Sequence, residues 1–247
     1  MGRKASDVAV APKSAMVFAA GLGTRMRPVT DTVPKPLIKV GGTALIDHCL
    51  DVLERAGIER AVVNVHYLAD QIEAHLRGRQ RPEIVISNER ALLLDQGGGI
   101  KKALPELGDQ PFLVCNTDAF WIEGPCRNLD RLFAAFDTER MDAILLVAPS
   151  ATSIGVDWPG DFTMDGDGRL HKRQAHEVAP FVYTGVAIFK PEPFRAVAHD
   201  VFRLAPFLFD SAAKGRLFGV RLEGLWLHVG RPETIPEAER ALARSKI

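Results

Sequence analysis

The sequence predicts an α/β fold in which a doubly wound, mostly parallel, Rossmann-like sheet is continued by a mixed-sheet extension. In the first half, apolar runs of strand length alternate with amphipathic helical segments, which is typical of repeated strand–helix–strand units. The second half is less regular and carries a hairpin signal, DGDG at residues 165–168. In doubly wound sheets, ligands bind beyond the carboxyl ends of the strands.

The first half contains four predicted strands and three predicted helices. The strands are residues 14–20, 60–67, 83–89 and 111–118. The helices are residues 43–56, 69–77 and 99–107, with Gly57 and Gly78 as stop signals for the first two. The triple glycine 97–99 is predicted to be a turn before the third helix. The last strand ends in an acid, Asp118.

The second half is predicted to add fewer and more varied elements. They are a helix at 128–136, strands at 141–148, 181–189 and 222–229, a helix after Pro191 and a helix from about residue 233. Because no linker or repeat interrupts the chain, residues 14–247 are predicted to form one domain. Residues 1–13 are predicted to be a flexible tail.

Composition excludes some classes of partner. The 247 residues carry a formal net charge of zero, so no global field favours nucleic acid or an anionic membrane. The three cysteines are an odd number without a CxxC spacing, which indicates free thiols in a reducing compartment such as the cytoplasm. MGRKAS matches a short myristoylation pattern, but we predict no lipid and no membrane partner. The sequence specifies no oligomeric state.

An irregular cationic loop follows the first strand, at residues 19–42, AAGLGTRMRPVTDTVPKPLIKVGG. It carries Arg25, Arg27, Lys35 and Lys39 against one acid, Asp31. Glycines let backbone amides approach a ligand, and nearby cations neutralise phosphate charge. The loop matches neither GxxxxGK[ST] nor the complete dinucleotide fingerprint. It therefore predicts a phosphate site of another type, although a solvated surface loop has the same composition.

The ordered motifs AAGLGTRMRP and VPKPL resemble the signature of the sugar-1-phosphate nucleotidyltransferases, and the resemblance extends from Ala15 to about Ala241. It implies the nucleotide-diphospho-sugar transferase fold, with a nucleotide-binding half at 14–120 and a sugar-phosphate-binding half at 121–247. It also implies Arg25 as the contact to the phosphates and Lys35 as the bridge between nucleotide and sugar phosphate. The implied nucleotide-loop residues are Ala20, Gly21, Gly23, Thr24 and Arg25.

Residues 97–118, GGGIKKALPELGDQPFLVCNTD, look most like the N-acetylmuramic acid-1-phosphate uridylyltransferases, which act in cell-wall sugar recycling. The preferred substrates are therefore UTP and this sugar phosphate. Two alternatives stay open. One is GTP with mannose-1-phosphate, and the other is a sugar-nucleotide-binding protein without turnover.

By the same resemblance, Asp118 is expected to bind Mg²⁺, a hard cation that prefers oxygen ligands. Relatives commonly complete the site with the acid of W-x-D-x-G, where this chain has WLHVG and therefore His228. Imidazole suits softer metals. Three alternatives follow from the missing second acid. Asp118, the phosphates and water hold the ion without it, or Mn²⁺ is used, or the site is impaired. His228 either lines the site or is a buried structural histidine.

The resemblance also implies contacts to the base and the sugar. Glu89, Gly97 and Gly98 are expected near the base. Gln96 stands where close relatives usually have threonine, so the sequence does not specify which nucleotide base is bound. The expected contacts to the sugar phosphate are Lys35, Asn116, Arg173, Thr184 and Gly185.

Overall fold

The protein is built around a nine-stranded sheet with helices on both faces, and the computed structural model describes residues 11–245. The strands are β1 Ser14–Phe18, β2 Lys39–Val40, β3 Thr43–Ala44, β4 Arg60–Val65, β5 Glu83–Asn88, β6 Phe112–Asn116, β7 Ala119–Glu123, β8 Ala143–Pro149, β9 Phe162–Met164, β10 Leu170–Lys172, β11 Phe181–Phe189, β12 Leu217–Arg221 and β13 Gly224–His228. The helices are α1 Leu45–Arg55, α2 Ala69–Leu76, α3 Asp95–Leu107, α4 Asn128–Ala135, α5 Glu192–Arg195, α6 Ala205–Ala213 and α7 Thr234–Ser245.

The strand order confirms the doubly wound prediction and identifies the switch point of the sheet. β5, β4, β1 and β6 run parallel to one another in that order. The chain passes from β1 through α1 outward to β4, whereas it returns from β5 through α3 to β6 on the other side of β1. A crevice therefore opens between the carboxyl ends of β1 and β6.

The mixed extension lies beyond β6. There β11 runs antiparallel to both β6 and β8, β12 runs parallel to β8, and the β9–β10 hairpin joins the first residue of β11. This arrangement confirms the predicted hairpin and mixed sheet.

Alternating side chains of the strands divide the core into two layers. In β1, Ala15 and Val17 face the layer that is covered by α1, α2 and α4, whereas Met16 faces the layer covered by α3, α5 and α6. The central strands are buried on both faces, which explains their uninterrupted apolar runs.

A smaller third cluster supports the cationic loop. It joins Met26 and Ile38 of the loop to Phe120 of β7, Leu227 of β13 and Ala238 of α7. β7 and β13 form a separate antiparallel pair. The loop after β1 is thus attached to the end of the chain by apolar packing.

Several elements differ from the sequence prediction. Residues Thr43–Ala44 pair with Lys39–Val40 as a two-stranded ribbon, so α1 begins at Leu45 and not at residue 43. α3 begins at Asp95, so the triple glycine lies inside the helix and is not a preceding turn. β7, β12 and α6 were not predicted, since the two strands are short and are defined by partners distant in the chain.

The predicted flexible tail, residues 1–13, includes residues at its C-terminal end that contact the folded domain. The carbonyl of Lys13 accepts hydrogen bonds from the amides of Glu59 and Arg60, at 2.8 and 3.2 Å, and Ala11 packs on the core. Residues 1–10, including the myristoylation pattern, lie outside the described residues. Within residues 11–245, no helix is both long and apolar enough to span a membrane.

Candidate active site

A cavity of about 400 Å³ opens at the carboxyl edge of the parallel strands. It is lined by residues 18–21 at the end of β1, residues 116–118 at the end of β6, Asn64 near the end of β4 and Glu89 just after β5. This is the switch point of the sheet, where the sequence predicted a ligand site. Ala20, Gly21, Lys35, Asn116 and Asp118 all line the cavity.

The first turn of the cationic loop is held open by its own hydrogen bonds. Gly23 has φ of +63°, a conformation that favours glycine. Its carbonyl accepts the Thr30 hydroxyl at 2.8 Å and the Met26 amide at 2.9 Å. At Gly21, by contrast, nothing lies within 4 Å of where a Cβ would stand. The loop therefore presents open backbone beside the cavity.

Arg25 lies on the following 3-10 turn, Thr24–Met26, and is exposed, like Thr24. Among the described residues Arg25 forms no ion pair, whereas the neighbouring Arg27 lies 3.3 Å from the Asp31 carboxylate. An unpaired guanidinium in this loop is available for a bidentate contact to phosphate.

Lys35 and Asp118 meet across the switch point, with the Lys35 ammonium 3.0 Å from the Asp118 carboxylate. Lys35 begins a 3-10 turn, which is entered through Pro34. Burial alone would raise the pKa of Asp118, but the nearby Lys35 and His228 outweigh it and hold that pKa well below its ordinary value of 3.8. The carboxylate is therefore ionised at neutral pH.

His228 is brought to Asp118 by the pairing of β13 with β7. His228 pairs with Ala119, and the Val229 amide donates to the Asp118 carbonyl at 2.8 Å. The His228 Nδ1 lies 3.2 Å from the Gly155 carbonyl and its Nε2 lies 3.6 Å from the Asp118 carboxylate. The carbonyl and the carboxylate both only accept, so a ring nitrogen that hydrogen-bonds to either of them is the donor.

Two tryptophans hold the ring of His228. Trp226 stacks on it at 5.6 Å between ring centroids, and Trp158 meets it edge-on at 5.4 Å. The histidine is therefore a fixed neighbour of the cavity, not a surface residue.

The glycines of α3 make room for the protein's own backbone, which corrects the expected base-binding turn. A Cβ on Gly97 would stand 2.4 Å from the Phe202 ring, and one on Gly98 would stand 2.0 Å from the Asp200 carbonyl oxygen. The Gly98 amide donates to the Phe202 carbonyl at 3.2 Å. Gly97 and Gly98 therefore pack against residues 200–202, and their missing side chains leave room for this segment.

Glu89 is buried and engaged within the protein. Its carboxylate accepts hydrogen bonds from the Asn64 amide group at 2.9 Å and from the Leu94 backbone amide at 3.2 Å. The Asn64 side-chain oxygen in turn accepts the Ala19 amide at 2.8 Å. The chain Glu89–Asn64–Ala19 therefore fixes the start of the cationic loop. Asn64 was not predicted, although a polar residue inside RAVVNV was a usable signal.

The expected sugar-side residues separate into two groups. Gly185 has φ of +82° and allows close approach of Asn116, whose side chain lines the cavity. The Thr184 hydroxyl donates to the Leu146 carbonyl at 2.7 Å inside the sheet. The guanidinium of Arg173 donates to the carbonyls of Gly160, Gln174 and Glu177. Thr184 and Arg173 therefore make structural contacts, and neither lines the cavity.

Comparisons with known proteins identify the family of this chain. Residues 15–216 match the MobA-like NTP transferase domain. The chain is 50% identical over 239 residues to the N-acetylmuramate alpha-1-phosphate uridylyltransferase of Caulobacter vibrioides, covering 95% of this chain and 99% of that protein.

The chain belongs to this nucleotidyltransferase family.

A second relative of this nucleotidyltransferase is the N-acetylmuramate alpha-1-phosphate uridylyltransferase of Neisseria meningitidis serogroup B, 37% identical over 91% of this chain and 96% of the relative. Among solved structures, apo UDP-glucose pyrophosphorylase superposes with a TM-score of 0.73 at 18% identity, covering 95% of this chain and 99% of that chain. These findings confirm the family and the fold that the motifs predicted.

Nucleotidyltransferases of this family generally use a divalent metal ion. In the described part of this nucleotidyltransferase, no group of three or more histidine, cysteine or acidic side chains is arranged to hold one. Asp118 supplies one carboxylate beside the cavity, with His228 as its neighbour. Mg²⁺ is commonly bound through one or two carboxylates together with substrate phosphates, so the site fits an ion that arrives with the triphosphate.

Proposed function

We propose that this nucleotidyltransferase joins UTP and N-acetylmuramic acid 1-phosphate to give UDP-N-acetylmuramic acid and pyrophosphate. The observation that carries the proposal is the Lys35–Asp118 pair, which lines the same cavity as Gly21 of the open glycine turn. Its support for these particular substrates is the 50% identity to the Caulobacter vibrioides protein of that name. The reaction would return a cell-wall sugar to a nucleotide-linked form.

In this reaction an oxygen of the sugar phosphate attacks the α-phosphorus of UTP. A new phosphorus–oxygen bond forms, the bond from the α-phosphorus to the bridging oxygen breaks, and pyrophosphate leaves. The attacking oxygen is already anionic, so no general base is required. Charge neutralisation and alignment of the reacting groups therefore account for the rate.

The residues of the loop divide this work. The open backbone at Gly21 and the turn at Gly23 allow close approach of the triphosphate, with Ala20 and Thr24 beside it. Arg25, which is exposed and forms no ion pair within residues 11–245, contacts the phosphates and stabilises the charge that develops on them. Lys35, which is partly buried beside Asp118, lies between the two phosphate groups.

Asp118 would hold the divalent ion, Mg²⁺ or alternatively Mn²⁺. Such an ion neutralises phosphate charge and orients the triphosphate. Because Lys35 and His228 keep the Asp118 carboxylate ionised, the ligand is ready for a cation without first losing a proton. His228 orients that carboxylate and lies within reach of a phosphate oxygen or a bound water.

The remaining assignments follow the walls of the cavity. Glu89 fixes the cavity wall through Asn64 and has oxygens close to the expected base. Gly97 and Gly98 support the base side by seating residues 200–202. Asn116 and Gly185 form the sugar side. We expect the reaction to take place in the cytoplasm, where UTP is made.

The test is pyrophosphate release over a grid of the four nucleoside triphosphates against several sugar 1-phosphates, with Mg²⁺ and separately with Mn²⁺. We expect the highest kcat/KM with UTP and N-acetylmuramic acid 1-phosphate. A highest kcat/KM with GTP and mannose 1-phosphate would show that these are the substrates in place of UTP and N-acetylmuramic acid 1-phosphate. A protein that binds UTP but turns over no pair, and gains turnover as His228→Asp, would be a binding protein instead.

A further inference from the structure

Gln96 lies at the first turn of α3, where its side chain reaches across the cavity. Its amide nitrogen donates a hydrogen bond of 3.1 Å to the side-chain oxygen of Asn116 at the end of β6. Both residues line the cavity and both are partly exposed to it. This contact links the helix that follows β5 to the strand beside β1, which are separate walls of the cavity.

Asn116 has little freedom on its other side. A Cβ on Gly185 would stand 2.5 to 2.6 Å from the Asn116 side-chain atoms Nδ2, Cβ and Cγ, so only glycine permits this packing. Within residues 11–245, the hydrogen bond from Gln96 is the one that the Asn116 side-chain oxygen accepts, and the Asn116 amide nitrogen donates to no protein group. Its two N–H donors are therefore free for a ligand in the cavity.

The chemistry of the amide group gives this arrangement a direction. An asparagine side chain has an acceptor at one end and two donors at the other. When Gln96 donates to the oxygen, the donors are left for the cavity. Without Gln96, the Asn116 amide rotates alone and presents either end, whereas with Gln96 both amides must rotate together before the oxygen of Asn116 faces the cavity.

We propose that Gln96 is a positioning residue for the sugar 1-phosphate, because it holds Asn116 with its N–H donors towards that substrate. This inference rests on the proposed function. The matching ligand group is an oxygen that can only accept, such as the carbonyl or the carboxylate of a substituted sugar. A threonine at this position has a shorter side chain, so Gln96 gives this chain a contact that the usual residue would not reach.

A double-mutant cycle tests whether Gln96 acts through Asn116. Gln96→Ala and Asn116→Ala are each expected to raise KM for the sugar phosphate about fivefold to tenfold, the typical effect of one lost hydrogen bond. KM for UTP stays within about twofold, because the contact is on the sugar side. The double variant is expected to be no worse than Asn116→Ala. Effects that add fully, or that fall on UTP, would overturn the inference.

Gln96→Met separates the hydrogen bond from packing, because methionine has similar length and no donor. Gln96→Met is expected to raise KM for the sugar phosphate as much as Gln96→Ala does. Recovery of the wild-type KM in Gln96→Met would show that only volume matters and would reject the positioning role. Gln80→Ala is the matched control, since its side chain makes an exposed 3.4 Å contact to the Gly78 carbonyl before β5, at the opposite end of the strand.

Three sugar phosphates identify the group that Asn116 contacts. N-acetylmuramic acid 1-phosphate has a carboxylate and an acetamido carbonyl, N-acetylglucosamine 1-phosphate has only the carbonyl, and glucose 1-phosphate has neither. The Gln96→Met penalty is expected with the first and to be absent with the last. An equal penalty with all three contradicts the inference. If the wild type is active and the Gln96 variants match it, this inference fails alone, whereas an inactive wild type refutes the proposed function.

Discussion

Two glycine-rich segments of this protein look alike in sequence and behave differently in the structure. The loop after β1 contains Gly21 and Gly23, and the start of α3 contains residues 97–99. At Gly21 the position of a missing Cβ faces open space, whereas at Gly98 it lies 2.0 Å from the Asp200 carbonyl oxygen. The first segment leaves room for a ligand, and the second is filled by the protein's own chain.

This difference shows that a glycine only removes the clash that a side chain would cause. It does not determine what fills the space. The group that fills the space depends on which segment packs there. At α3 this segment is residues 200–202, which are about 100 residues further along the chain. The loop after β1 carries Arg25 and Lys35, so a phosphate is the occupant that we propose for the open space. At α3 the occupant is a neutral backbone that completes hydrogen bonds of its own.

The largest expected effect concerns the carboxylate that faces the open loop. Asp118→Ala is expected to lower kcat/KM about a thousandfold, because it removes the expected metal ligand and the partner of Lys35. The measurement is pyrophosphate release at saturating Mg²⁺. Near-normal rates in that variant would mean that the open loop works without this acid, and the metal assignment would be wrong.

Arg25→Ala is expected to lower kcat about a hundredfold, since a phosphate-contacting guanidinium in the open loop stabilises transition-state charge. Stability is expected to be unchanged, because Arg25 is exposed and forms no ion pair in the described structure. The matched control is Arg27→Ala, which removes an equal charge from the same loop, where the side chain is already paired with Asp31. Equal losses in both variants would indicate a general effect of loop charge.

The two glycines themselves are expected to separate stability from activity. Gly98→Ala is expected to lower the free energy of unfolding by about 2 kcal/mol, because the new methyl group overlaps a backbone carbonyl. Gly21→Ala is expected to change it by less than about 0.5 kcal/mol and to raise KM for UTP. Denaturant unfolding and steady-state kinetics measure the two effects. The contrast between the two glycines would be wrong if Gly21→Ala lowered the free energy of unfolding and Gly98→Ala only raised KM for UTP.

The smallest expected effect concerns the exposed ion pair between Lys101 and Asp200, at 2.7 Å. Asp200→Ala is expected to change Tm by no more than about 2 °C, since surface pairs contribute little. The residues 200–202 would then stay in place through backbone contacts, the Gly98 amide to Phe202 and the Phe202 amide to Leu94. A much larger drop in Tm would show that the ion pair seats this segment.

Local and ordered patterns allowed much of this protein to be predicted from its sequence. Apolar strands and periodic helices indicated the doubly wound sheet, because burial on both faces requires those patterns. Arg25 and Lys35 could be proposed as phosphate contacts since they lie in one continuous motif. The position of Asp118 at the cavity could be predicted because it ends a predicted strand whose carboxyl end had to reach the edge of the sheet.

The tertiary structure alone decided which residues meet when they are distant in the chain. Pairing of β7 with β13 places His228 beside Asp118, and the contact of α3 with residues 200–202 reassigns Gly97 and Gly98. Arg173 and Thr184 make structural hydrogen bonds outside the cavity, and Asn64 connects Glu89 to the loop. A sequence determines local conformation and burial preference, whereas these contacts depend on how separate elements pack, which no local pattern encodes.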